Sequence, residues 1–210
     1  MNYLQLVNDF MIETDMDDQI VTVTGQIDDG LKATIWIRDA WLQIQRNEQW
    51  DFLWYEGSLA TVASQSTYVY TDITTDDLQR GSLRLPAESK YIHEFDIEAI
   101  RFDTATGSPS KVAFLPNGSL VFSPIPDAVY TITADCYALP VTLTLDTDVP
   151  SLDTQFHKAI VWLAISNYAR EQGQEWAGLY VTANREFNQI YSTMTNRYMP
   201  RMEPKVGLTN

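Results

Sequence analysis

The sequence predicts an α+β fold: a helical bundle formed by N-terminal and C-terminal helices, with an antiparallel β-sheet region inserted between them. Three observations carry this. Near both ends of the chain, apolar residues recur at steps of three and four, the spacing of one helix face. From about Leu59 the period changes to two, the spacing of one strand face. Asn117-Gly118 then sits between two β-rich runs, the strongest short-range hairpin signal. The expected division is residues 1–58 and 146–199 as the helical bundle, 59–145 as the inserted β region, and 200–210 as an extended C-terminal tail.

Taken in order, Tyr3 to about Thr14 reads as a short helix, with Leu4, Val7 and Met11 on one face and Phe10 beside them. Asp15 to Gln19 is an acidic break. Ile20 to Thr24 is β-branched and extended by propensity, and Gly25 ends it. A long helix follows from about Ile27 to Gln45. Leu31, Ile35, Arg38 and Leu42 line one side of it, and Thr34, Ile37, Trp41 and Ile44 lie next to them. So wide an apolar arc predicts that this helix is covered on more than one side. Trp50 to Tyr55 is an aromatic cluster that reads as core.

In the middle of the chain, strands are expected around Tyr68–Tyr70, near Tyr91–His93 and over Ile97–Phe102. Two more flank Pro116-Asn117-Gly118. The clearest strand runs from Tyr130 to Ala138, with Ile132, Ala134 and Cys136 sharing a face. Val141, Leu143 and Leu145 alternate with threonines beyond it, for five or six strands in all. The stretch from Val149 to Pro200 predicts two consecutive helices. The first carries Phe156, Ala159, Ile160, Leu163, Ala164 and Tyr168. The second carries Trp176, Tyr180, Ala183, Phe187, Ile190, Met194 and Tyr198, close to a heptad seam, and Pro200 stops it.

Composition narrows the function. The chain has 210 residues and is 45% hydrophobic, enough for a sizeable core. Its 28 acidic residues outweigh 14 basic ones for a net charge of −14. Duplex DNA binding draws its affinity from Lys and Arg displacing counterions, so this surface repels nucleic acid. Residues 1–31 hold seven carboxylates and neither Lys nor Arg, whereas Arg197, Arg201 and Lys205 make the C-terminal end basic. Cys136 is the one cysteine, so no internal disulfide forms and a reducing compartment is expected. No secretory signal is visible, and the most apolar run, Ala159–Ile165, is far shorter than a bilayer span.

No catalytic constellation is visible. The phosphate-cradling glycine loops and the Gly-x-Ser-x-Gly elbow are absent. His93 and His157 lie in different elements, so no metal site is expected; the first reads as a polar strand edge and the second as locally packed or capping. Cys136, on an apolar strand face, reads as a buried inert thiol. Asp146-Thr147-Asp148 lacks the glycine and terminal glutamate of a calcium loop. The pairs Asp17-Asp18, Asp28-Asp29 and Asp76-Asp77 read as solvated surface or helix N-terminal charge. Paired acids with Tyr and Trp keep one alternative open, a carbohydrate-binding or glycoside-hydrolysing module. The residues therefore predict no enzyme, no cofactor and no membrane association.

Several ordered segments resemble the head-to-tail adaptor proteins of tailed bacteriophages, also called head-completion or connector proteins. These are Leu4-Gln5-Leu6-Val7-Asn8, Thr22-Val23-Thr24-Gly25, and Ile37-Arg38-Asp39-Ala40-Trp41-Leu42-Gln43-Ile44-Gln45 with its Trp50-Asp51-Phe52-Leu53 closure. In the β region they are Gly107-Ser108-Pro109, Leu120-Val121-Phe122-Ser123-Pro124 and Pro126-Asp127-Ala128-Val129-Tyr130. The last are Val149-Pro150-Ser151-Leu152 and Phe156-His157-Lys158-Ala159-Ile160-Val161. The resemblance implies a non-enzymatic virion protein at the head-to-tail interface, present in the host cytoplasm before assembly. It implies a ring, usually of about twelve copies, seated on the portal protein and met on its other side by tail or stopper/nozzle proteins. Viral DNA would pass through such a ring without specific binding. Another tail or baseplate subunit is the alternative within the virion. By the same resemblance the C-terminal segment reaches a neighbouring ring, so Tyr198, Arg201, Met202, Lys205 and Val206 are the expected portal-binding residues.

Overall fold

The computed structural model describes residues 1–16, 19–74 and 76–199. The helices are α1 (Tyr3–Glu13), α2 (Asp28–Asn47), the one-turn α3 (Ile97–Ile100), α4 (His157–Gln172) and α5 (Ala177–Tyr198). The strands are β1 (Trp54–Ala60), β2 (Thr67–Val69), β3 (Asp77–Leu78), β4 (Arg84–Leu85), β5 (Lys90–Tyr91), β6 (His93–Glu94), β7 (Lys111–Phe114), β8 (Ser119–Ser123) and β9 (Thr131–Tyr137). The fold is α+β, and the chain divides into two compact units. One is Met1–Phe52 with Pro140–Asn210, and the other is Leu53–Leu139.

In the helical unit α4 is the centre. Ten of its 16 residues are buried, and they lie on every side of the helix. Such a helix needs neighbours all round, and α1, α2 and α5 all pack on it. The start of α1 is fixed by a capping box: Asn2 Oδ1 accepts from Gln5 N–H, and Gln5 Oε1 accepts from Asn2 N–H, both at 2.9 Å. Gly173, at φ 94° and ψ −158°, takes a backbone conformation that favours glycine, which ends α4 and lets the chain turn into α5. Of the 22 residues of α5, Ala183 and Met194 are buried. The other seam residues, Tyr180, Phe187 and Ile190 among them, are half-buried.

Three expectations fail here for identifiable reasons. Ile20–Thr24 forms no strand, because side chains take its backbone groups. Asn8 bonds both the N–H and the carbonyl of Ile20, and Asp146 Oδ1 accepts from Val23 N–H at 2.6 Å. Val141–Leu145 forms no strand either. The Gln45 amide clamps both the N–H and the carbonyl of Val141, and Asp148 Oδ2 accepts from the N–H groups of Thr144 and Leu145. Helix α2 is covered along Ala33, Ile37, Ala40, Trp41 and Ile44. Its second apolar stripe stays open: Leu31 is 45% and Ile35 36% exposed.

The β unit holds two sheets rather than one. The first has the order β1-β9-β4-β5, with β3 also pairing β9, and the second β2-β8-β7-β6. Among the described residues, the strands pair antiparallel except β6 with β7, which is parallel, and an isolated Thr106–Ile125 bridge is parallel too, so the region departs there from an all-antiparallel sheet. The core collects Leu59, Leu83, Leu85, Ile92, Val112, Leu120, Phe122, Ile132, Ala134 and Cys136 from both sheets. Asn117-Gly118 makes the β7–β8 turn, with Gly118 at φ 80°. Ile97–Phe102 is not a strand. Ile97–Ile100 is a single helical turn whose Ile100 is buried, and Phe102 lies outside it, 84% exposed. A four-residue apolar pattern fits either conformation.

Candidate interaction surface

The last turn of α5 is tied into the helical unit by aromatic packing. The Tyr198 ring meets Phe52 edge-on at 5.2 Å and Phe156 at 5.7 Å. Phe52 in turn stacks between Trp41 and Trp50. The Tyr198 hydroxyl accepts from Asp153 N–H at 3.1 Å. Arg197 extends over the Tyr198 ring and reaches Asp153 Oδ2 at 2.6 Å. These interactions fix where the chain leaves the helix. Asp51, Gln155, Phe156, Thr193, Asn196, Arg197 and Met199 line a shallow concavity at this end. Of the expected portal-binding residues, Tyr198 is therefore half-buried with its hydroxyl already engaged. Arg201, Met202, Lys205 and Val206 lie outside the described residues.

His157 closes the other end of the same segment. It is fully buried; its Nε2 donates to Leu152 O at 2.9 Å, and its Nδ1 accepts from the Met1 amino group at 2.7 Å. Because a carbonyl can only accept, Nε2 carries the proton. Burial pushes the imidazole pKa below its ordinary value. The histidine next to Phe156 in the sequence is thus a strut between three stretches of backbone.

In the β unit, a groove of about 510 Å³ runs past Tyr70, Asp76, Asp77, Leu78, Arg80 and Phe114. The Arg80 guanidinium lies 4.8 Å from the centre of the Phe114 ring. An acid beside aromatic rings is what a sugar site requires, but Asp76 is committed to the fold. Its Oδ2 accepts from the Tyr55 hydroxyl at 2.7 Å, and its Oδ1 accepts from Leu139 N–H at 3.3 Å. Tyr55 also bonds Thr74. The histidines are equally separate: His93 is exposed on β6 and His157 is buried. Among the described residues, no three His, Cys, Asp or Glu side chains are placed to hold a metal ion, and no helix is long and apolar enough to cross a membrane. Cys136 is buried, and burial raises its thiol pKa.

Sequence reasoning placed Tyr198 in the seam but missed its partners. Arg197 read as part of a basic end; its pairing with Asp153 joins positions 44 residues apart, which no local pattern encodes.

The sequence itself, matched over nearly its whole length, defines the protein as a bacteriophage adaptor, a structural protein. The chain belongs to the SU10 adaptor protein family, which it matches over residues 1–204. A comparison with curated proteins found no match. The family implies a place in the virion and contact with other phage head or tail proteins.

Proposed function

We propose that the protein forms a ring of about twelve copies that docks on the portal and extends the DNA channel toward the tail. The family match over residues 1–204 is the observation that carries this reading. Charge supports it: at −14 per subunit, DNA slides past without being held. In this reading the helical unit is the ring body, and tail or stopper proteins meet the ring on the side away from the portal. Tyr198 sets the point from which residues 200–210 reach the portal, where Arg201, Met202, Lys205 and Val206 make contact. Incubating the protein with portal-bearing heads and imaging the vertex tests the reading. A ring under the portal is the expected result, and it is lost on deletion of residues 200–210. Docking that is unaffected by the deletion removes the tail from the interface, and a vertex with no ring refutes the function.

A further inference from the structure

The open stripe of α2 has the spacing of a helix-packing seam. Ile27, at the N-cap, begins it at 73% exposure; Leu31 and Ile35 continue it exposed, and Arg38 and Leu42 follow half-buried, at steps of four, three and four. Leu and Ile at such positions can serve as knobs against a second helix. Within the helical unit, the neighbours of α2 cover its other face instead, along Ile37, Trp41 and Ile44. Among the described residues, this stripe is left without a full cover.

Helix α5 has the matching face. Val181, Arg185, Asn188 and Ser192 follow the same steps of four, three and four, and all four are exposed. Val181 is 65% exposed, and Ala177 and Gly178 lie open one turn before it. A surface of small and medium side chains admits the Leu and Ile knobs of another helix.

Charge is compatible with the same two helices, α4 being the other helix without an acidic excess but buried on every side. Copies of a chain with net charge −14 repel one another over most of their surfaces. Helix α2 carries three carboxylates against three cations, and α5 carries Glu186 against Arg185 and Arg197. These 42 residues thus contribute about +1, and the other 168 contribute the whole acidic excess. Each seam also has an arginine beside a carboxylate at its centre, Arg38 with Asp39 and Arg185 with Glu186. Across a contact these pairs can exchange partners, Arg38 to Glu186 and Arg185 to Asp39.

We propose that the open seam of α2 on one copy packs against the outer face of α5 on the next, as the lateral contact of the assembly. The occupant of each face is a second copy of this chain. Two different faces meeting head to tail generate a closed ring when the rotation closes, whereas one face meeting itself stops at a dimer. The inference rests on the ring reading and adds which surfaces build the ring.

Crosslinking between two single-cysteine variants tests it. Ile35→Cys and Asn188→Cys lie at the seam centres; Cys136 is buried and stays silent. Full-length protein assembled on portal-bearing heads is oxidised and run on a non-reducing gel. The mixture of the two variants gives a disulfide-linked dimer at least tenfold above either variant alone. A chain carrying both substitutions gives a ladder of oligomers. Leu31→Glu leaves the melting temperature of the isolated chain within a few degrees, because Leu31 is already open, and lowers assembly at least tenfold. If imaging shows a ring but Ile35→Cys links to itself as well as to Asn188→Cys, or neither links, the proposed contact is wrong and the ring stands. If imaging shows no ring, both readings fall.

Discussion

The Tyr198 hydroxyl and the Asp153 backbone N–H are hydrogen-bonded at 3.1 Å across 45 residues of sequence. This contact joins the last turn of α5 to the segment that enters α4. Tyr198→Phe removes the bond but keeps the ring against Phe52 and Phe156. It should cost about 1 kcal/mol in urea unfolding. Tyr198→Ala also removes two aromatic contacts, and its cost should rise to about 2–4 kcal/mol. Equal losses for the two variants would show that the rings contribute nothing.

His157 makes stability depend on mildly acidic pH. Burial depresses its folded-state pKa below the unfolded value, so the neutral form favours the fold. Above an unfolded pKa of about 6.5 the contribution is complete. Below it the unfolded chain binds a proton that the folded chain resists. Stability then falls as pH falls, by up to about 1.4 kcal/mol per pH unit, until the folded pKa is reached. Carboxylates with lowered pKa values, Asp148 through its backbone N–H donors and Asp103 through Ser123, act in a separate window nearer pH 4. His157→Gln should flatten the higher window and leave the lower one. Unfolding curves at half-unit steps from pH 7.5 to about 3 separate the two.

Gly57 on β1 sits where a side chain has no room. A Cβ there would lie 2.7 Å from Cys136 Sγ and 2.9 Å from Ile73 O. Gly57→Ala should destabilise the protein by about 1–3 kcal/mol through overpacking. Cys136→Ala in the same chain should recover part of that loss in thermal unfolding, since it removes the nearer atom.

Thr133 on β9 is buried, and its Oγ1 has no hydrogen-bond partner among the described residues. Thr133→Val keeps the shape and removes the unpaired hydroxyl. It should raise stability by about 1 kcal/mol, read as a higher midpoint with an unchanged slope in urea. A lowered midpoint would mean that the hydroxyl is satisfied.

Much of the fold was legible because long periodic segments encode their own burial. The alternation from Ile132 to Cys136 and the stripe of Ala159, Ile160, Leu163 and Ala164 both mark buried faces. Short segments were less legible. Ile20–Thr24 and Val141–Leu145 have strand propensity, yet Asn8, Asp146, Gln45 and Asp148 take their backbone groups from a distance. The two-residue strands β3 to β6 are set by pairing partners rather than by any pattern of their own. The anchored end of α5 was half legible. Tyr198 falls on the seam, but Phe52 and Asp153 come from elsewhere in the chain. The wide apolar arc of α2 predicted cover on more than one side, and part of it stays open.

Strands β1 and β9 pair along their whole length, Trp54 opposite Tyr137, and Ala138 N–H donates to Leu53 O at 2.8 Å. The β unit therefore begins and ends at one doorway, a strand's width across. That makes it a cassette. The helical chain can be spliced from Phe52 to Pro140 through a short linker, and a foreign hairpin or a whole domain can be grafted into the same opening.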